Sequence, residues 1–585
     1  MLSACAGPVN KSSPGKPVLK PSFRANVEVM NRVQGALEQP VMVSGSGSLN
    51  YYSASPSTIM LSEVQPLAAA RQVQEPLVAG GARIESKFTD AQVAAAQAEA
   101  MLNAPGGNIQ LLNGADDVNS NNNGNGNGIG KKGPKKLLSF DAFGAEDCCN
   151  DEPFSATVPP DPDIAVGPNH VIVVANVAFA IYDKRGNELQ PPTGFNSFFA
   201  GTPGCSFDGT FDPDVVYDES TDRFVMGVDG NLVDYCVAAT VSGDPMGSWH
   251  RFGVPTNING ELFDFPHIGV GVDAIYMGSN QFGFDPDTGF FFVGGRVFAL
   301  NKADLYAGVP LQVVTQLASR SDGTPQPAHI SGMAEGSFPL SGPHYIMTEV
   351  FDGITHSVYA WDDPFGSNQL ILAGDVDLAT ASGVPCPDFS CFPLSFPQAG
   401  SDELLQGNDF RGQETKYRNG YLWTAQTIAC NPGDGPVNCV RWAQIDPTAV
   451  NLPTSTDGVV QAGVFTSDNG EYRSFPSIAV NACDDMAIGY TRSSGEQFAS
   501  SFVNGRRAND RAGRVRAEVE QFGGTEAYRS FQAPGPHRWG DYTGMASDPD
   551  GRSFWHAGEY AGFSDNVFAN WRIAVGRYRF SCNGR

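Results

Sequence analysis

Seven times along the chain, a polar or small residue, often followed by Pro, leads into an apolar-small-apolar triplet, a turn and a second apolar strand. The first copies read PDIAVGPNHVIVVANV at Asp163, PDVVYDESTDRFVMGV at Asp214, PHIGVGVDAIYMGSNQ at His267 and AHISGMAEGSFPLSGPHYIMTE at His329. RGQETKYRNGYLWTAQ near Glu414, PSIAVNACDDMAIGYT at Ser477 and YTGMASDPDGRSFWHAGEY at Thr543 complete the set. Successive anchors lie 51, 53, 62, 85, 63 and 66 residues apart, the span that a four-stranded blade with variable loops needs. Such a unit cannot bury both of its faces alone, whereas stacking around an axis buries them and leaves only short, protected edges. The spacing therefore predicts an all-β fold, a seven-bladed β-propeller over residues 137–585. A β-sandwich of generic hairpins is the competing arrangement. Closure is expected where Trp571 to Phe580 meets Leu137 to Phe143.

Composition fits this reading, since 67 Gly and 41 Pro supply turns and 38 Phe supply strand-forming bulk. The first 136 residues hold 12 of the 37 Lys and Arg and 9 of the 63 Asp and Glu, so of the chain's net charge of −26 the repeat region carries 25 basic against 54 acidic residues, a net −29. A surface of that sign repels nucleic-acid phosphates and anionic lipid headgroups, which sets both aside as partners, and it suits cations such as calcium. No run of 18 apolar residues occurs.

Residues 1–136 read as a largely disordered tether with one short helix. The start, Met1-Leu2-Ser3-Ala4-Cys5, contains LSAC, which resembles the lipobox of bacterial lipoproteins and implies lipidation of Cys5 and an outer-membrane or cell-surface location. Thr89-Asp90-Ala91-Gln92 has a capping-box pattern, and the Ala-rich stretch to Leu102 predicts the helix. Asn119 to Gly130 (NSNNNGNGNGIG) and KKGPKK are too poor in apolar area to order themselves and read as linker. Asp117, Asn119 and Asn121 lack the later Gly and Glu of a calcium loop and read as spacer. Eleven Cys show no CxxC or zinc spacing, which favours disulfides and an oxidising, extracellular compartment. Cys205 with Cys236, Cys386 with Cys391, and Cys430 with Cys439 are near enough in sequence to staple loops, although spacing alone does not fix the connectivity.

In propellers generally, the connection entering the innermost strand lies on the ligand face, so residues at and just before each anchor should converge. One side of this mouth would be acidic, with Asp161, Asp163, Asp212, Asp214 and Asp264 beside His267 and His329. The other would carry Arg411, Arg473 and Arg538, with Glu414 and Asp541. Three Arg forks can clamp a carboxylate such as that of a uronate or sialate; each equally suits a salt bridge to a neighbouring blade. Trp539 and Tyr542 are placed to stack on a sugar. Asp548 and Asp550, and the stretch Asp285-Pro286-Asp287-Thr288-Gly289, read either as calcium-binding loops or as Pro-initiated turns. There is no GxSxG in suitable context, no HExxH and no Gly-rich phosphate loop.

The stretches VGPNH, DPDVVYD, FDFPHIGV, SFPSIAVN and HRWGDYTGM resemble exported bacterial propellers grouped with the sialidase-like superfamily, over roughly residues 150 to 580. The resemblance implies an arginine triad and a Tyr nucleophile activated by Glu. Glu414 and Tyr417 are the local pair for the latter, with Asp163 or Asp214 as general acid. No RIP segment precedes the first blade, and Ser547-Asp548-Pro549-Asp550-Gly551 departs from the SxDxGxTW Asp-box. Two functions are expected: a propeller, exported or lipid-anchored, that binds an extracellular glycan, or a glycoside hydrolase or polysaccharide lyase acting on an acidic sugar. In a lyase, His267, His329 or Tyr417 would serve as base.

Overall fold

A computed structural model describes residues 43–44, 50–67, 90–112, 132–149, 158–205, 210–230, 232–285, 289–318, 322–532, 534–564 and 569–581. The chain is all-β. Among the described residues it forms seven sheets of four to six strands and one small hairpin that pairs Phe396–Gln398 with Ser401–Leu405.

Each sheet starts from an inner strand, and these are, in chain order, Asp163–Val166, Phe211–Asp218, Leu262–Val270, Gly323–Pro327, Gly412–Arg418, Tyr472–Val480 and Gly544–Ser547. Every inner strand lies against the next, and the seventh lies against the first, so the sheets close a ring. Burial explains why strands such as HVIVVA at His170–Ala175 are apolar on both faces rather than alternating. A separate apolar layer fills the gap between each pair of neighbours: Phe179 and Phe224 between the first and second sheets, and Trp423 and Trp442 with Tyr490 between the fifth and sixth. Phe143, Val173 and Trp571 sit between the seventh and first.

The ring is fastened by chain ends. Lys135–Gly144 forms the outermost strand of the seventh sheet, antiparallel to Trp571–Arg579, with Phe140 opposite Val575, so the expected closure is observed. Residues 1–136 are not wholly a tether. Pro56–Met60 pairs with the outer strand Ser248–Pro255 of the second sheet, Asn50–Ala54 extends the third, and Ile109–Leu111 extends the fifth. Those outer strands would otherwise expose unpaired backbone edges, and Tyr52 and Ala54 are buried in return. A helix spans Asp90–Asn103, close to its expected place. Cys5, Asp117 and the Asn119 to Gly130 linker lie outside the described residues.

A repeated kink shapes the inner strands. Asp161, Asp212, Phe265, Thr324 and Phe475 have φ of 48°, 49°, 57°, 48° and 55°, and each is followed by Pro. The ladder skips two residues there, as between Phe211 and Asp214, Asp264 and His267, Gly323 and Gln326, and Ser474 and Ser477. Pro donates no ladder hydrogen bond, and the bulge re-aims the residue after it. In the fourth repeat the kink is Thr324-Pro325-Gln326, which makes Gln326 the anchor in place of His329. His329–Ile330 instead runs parallel to Lys416 and Tyr417 as an inner edge of the fifth sheet.

Four disulfides join described residues: Cys205–Cys236, Cys386–Cys391, Cys430–Cys439 and the adjacent pair Cys148–Cys149. Cys483 is also disulfide-bonded.

Candidate functional site

The re-aimed residues stitch the ring together. Asp163 Oδ2 accepts from Val215 N at 2.9 Å and Asp214 Oδ2 accepts from Ile268 N at 2.6 Å, each reaching the next inner strand. Gln326 Nε2 donates to the Gly412 carbonyl and its Oε1 accepts from Thr415 Oγ1 at 3.1 Å. Thr543 Oγ1 donates to Ser477 Oγ at 3.1 Å.

These strands line a small cavity that is open at its mouth. Asp163, Asp214, His267, His329, Glu414 and Lys416 line it, together with an apolar wall that includes Ile164, Val215, Ile268 and Val480. At its far end, where the inner strands finish, it reaches Glu219, Ser331 and Arg418. A loop crosses that end. Glu219 of the second sheet accepts from Gly332 N and Met333 N, both at 2.9 Å, while Arg418 of the fifth sheet pairs with Glu335.

Burial governs the charges. Asp163 is raised by burial, opposed by Lys416, and Asp214 is raised well above the carboxylate range by burial and by the neighbouring Asp163 charge; the two carboxyls touch, so together they retain a proton. Burial lifts Glu414 to about 7 although Lys416 Nζ lies 3.1 Å from its Oε1. Burial first, then the nearby cations Arg411 and Lys416 for His267 and chiefly Lys416 for His329, lowers both imidazoles to about 3, so both are neutral. His267 is 6% exposed, and its Nε2 has no hydrogen-bond partner; neither has Nδ1 of His329 nor Oε2 of Glu414.

The residues one step earlier along the strands form a plug rather than an open mouth. Tyr542 donates to Asp212 Oδ2 at 3.0 Å and packs on Phe265 with ring centres 4.6 Å apart, and the Arg411 guanidinium lies 4.0 Å above the same Phe265 ring. Asp541 N donates to Asp161 Oδ1 at 2.6 Å. Burial and the Asp212 charge push Asp161 up to about 8, and burial also raises Asp212 and Asp264. Arg411 is spent on Asp409, with bonds of 2.7 and 2.5 Å, and Arg538 on Asp541.

Four expected site elements are placed elsewhere. Arg473 is fully buried in the sixth sheet between Glu471 and Glu518, with Nε 2.6 Å from Glu518, so it shares no pocket with Arg411 and Arg538 and the three do not form a clamp. Tyr417, between the cavity-lining Lys416 and Arg418, faces the other side of its strand and stacks on Tyr345 at 6.0 Å, away from Glu414's free oxygen. Trp539 is fully buried and donates to Thr491 Oγ1 at 2.9 Å, leaving no face for a sugar. Asp548 is held by Lys184 at 2.9 Å and Arg577 at 3.1 Å and accepts from Trp555; Asp550 binds its own turn through Ser553 and pairs with Arg577. Both belong to a turn fixed by cations, and among the described residues no group of three or more His, Cys, Asp or Glu is arranged to hold a metal ion. Most of the Asp285 loop lies outside the described residues. Gln326, Lys416 and Glu219 were not singled out from sequence; Gln326 carried a signal in the Pro that precedes it.

No family model and no characterised protein matches the sequence. Faint likenesses exist among solved structures. The Nup133 β-propeller domain of Vanderwaltozyma polyspora is 10% identical with a TM-score of 0.35, covering 76% of this chain and all of that one. A Penicillium chrysogenum α-L-arabinanase bound to arabinobiose is 12% identical at 0.30, covering 76% and 99%. A Trypanosoma rangeli sialidase is 8% identical at 0.31, covering 71% of this chain and 57% of that one. Likeness at this level passes no activity to this chain.

Proposed function

We propose that the ring is a seven-bladed β-propeller, exported and surface-exposed, that binds one sugar unit of an extracellular glycan in its axial cavity. The observation that carries this reading is the trio of unpartnered polar atoms, His267 Nε2, His329 Nδ1 and Glu414 Oε2, on residues lining one cavity. A buried polar atom left unpaired costs about 1–3 kcal/mol, so three together favour a ligand that brings hydroxyl groups. The apolar wall suits the C–H face of a sugar ring. Export rests on the disulfides, which persist in oxidising compartments, and Cys5 is the point at which a lipid anchor would hold the chain at a surface. The test is a glycan microarray probed with the labelled full chain. A subset of glycans should bind, and His267→Ala should weaken them at least about tenfold, the loss of one good hydrogen bond, without shifting the unfolding transition below assay temperature. An intact chain that binds no glycan contradicts the reading.

One observation favours a second reading, hydrolysis of the bound glycan. Carboxyls with raised pKa in one cavity are suited to general acid catalysis, and Glu414 keeps its proton up to about pH 7. Reducing ends released by the wild-type chain and lost in Glu414→Gln with binding retained would establish it. Binding without product supports the first reading.

A further inference from the structure

We infer that the axial site takes an uncharged sugar and rejects acidic ones, a specificity opposite to that of an arginine clamp. The inference rests on the axial glycan site proposed above and concerns only the chemistry of its ligand.

Four carboxyls line the cavity, Asp163, Asp214, Glu219 and Glu414, against two cations, Lys416 and Arg418. Neither cation is free to meet an anion. Lys416 is paired with Glu414 at 3.1 Å, and Arg418 is paired with Glu335 and donates to Ser331 Oγ and the Val480 carbonyl. Arg411 and Arg538 are engaged by Asp409 and Asp541 in the plug. Above about pH 7, where Glu414 is ionised and balances Lys416, a carboxylate on the ligand would enter against the negative charge that Asp163 and Asp214 share, with no available counter-charge, and like charges brought together out of water are strongly unfavourable.

The unpartnered atoms also choose among uncharged and cationic groups. A neutral imidazole nitrogen donates or accepts according to tautomer, and the Glu414 oxygen does so according to protonation. A hydroxyl satisfies either role at all three positions. An ammonium only donates, and so satisfies only those that accept.

The test compares one sugar chain in two charge states on the full-length protein: oligogalacturonate and its fully methyl-esterified form, beside neutral glucan, xylan and arabinan oligosaccharides, by microarray and calorimetry. Neutral or esterified chains should bind, and the free acid should bind at least about 100-fold more weakly, the size expected of a buried like-charge contact. At pH 8, Asp163→Asn with Asp214→Asn, which together remove the charge the pair shares and keep oxygens for Val215 N and Ile268 N, should narrow that gap at least about threefold if the substituted protein unfolds at the wild-type temperature. Glu414→Gln should narrow it as well and guards against misfolding of the first variant. Acid forms that bind as tightly as their esters overturn the inference while leaving glycan binding intact. Failure of every sugar, charged or not, overturns the glycan reading itself.

Discussion

Replacing Glu414 by Gln should change how stability depends on pH, by an amount the pocket dictates. The side chain is 15% exposed, and burial lifts its carboxyl from 4.5 to about 7. The folded protein then holds a proton that the unfolded chain has released, so this residue's contribution to stability falls as pH rises from about 4.5 to about 7 and is level beyond. At 1.36 kcal/mol per pKa unit, the penalty is under about 1 kcal/mol near pH 5 and about 3 kcal/mol near pH 8. Gln has no proton to lose. Urea unfolding of wild type and Glu414→Gln at both pH values, in oxidising buffer, should therefore show the variant gaining about 2–3 kcal/mol relative to wild type between pH 5 and pH 8. Other buried carboxyls such as Asp161 titrate in both proteins and largely cancel. A difference between the proteins that is the same at both pH values, within about 0.5 kcal/mol, would refute the burial assigned to Glu414 and with it the electrostatics of the cavity.

Other expectations follow from the packing. Arg473→Ala strands Glu518, whose carboxyl the Arg473 and Arg492 charges hold at about 2, and should cost about 3–5 kcal/mol in urea titrations with no change in affinity for any acidic ligand. Phe143→Ala, at a residue 1% exposed that meets Trp571 edge-on across the ring closure, should cost about 3–5 kcal/mol, whereas Leu137→Ala, at 37% exposed, should cost under about 1. Cys205→Ala with Cys236→Ala removes a cross-link over 31 residues and should cost about 3–4 kcal/mol. Glu219→Gln weakens the hold on Gly332 and Met333, and limited proteolysis should cut between Met333 and Leu340, which is 88% exposed, faster than in wild type.

The ring was legible in sequence because five of the seven inner strands carry the same local instruction, a left-handed residue before Pro and then a buried apolar run. Where the instruction was diluted, the reading slipped. Thr324-Pro325-Gln326 carries it in the fourth repeat, yet AHISGM at His329 imitates the apolar triplet and lies where the chain crosses to the fifth sheet. The strands at Asn50–Ala54 and Ile109–Leu111 were hidden because they are short and gain their stability from outer edges formed hundreds of residues away. For the site, sequence brought Asp163, Asp214, His267 and Glu414 to one cavity but misjudged its neighbours. Depth along the strand separates the open cavity from the plug: Asp161 and Asp163 are two residues apart, and only the second reaches the space. The arginines failed for a different reason, since nearby acids such as Asp409, Glu518 and Asp541 satisfy them locally and no repeat pattern reveals that competition. Alternation along Lys416-Tyr417-Arg418 already places Tyr417 on the opposite side from its neighbours.

A crystal structure of the full chain soaked with the neutral oligosaccharide that binds best would show where the sugar sits. Density for a sugar ring on the axis, with hydroxyls within about 3 Å of His267 Nε2, His329 Nδ1 and Glu414 Oε2, is the predicted outcome. Sugar bound on the outer rim, or at Arg411 and Arg538 with the axial cavity holding only water, would contradict it.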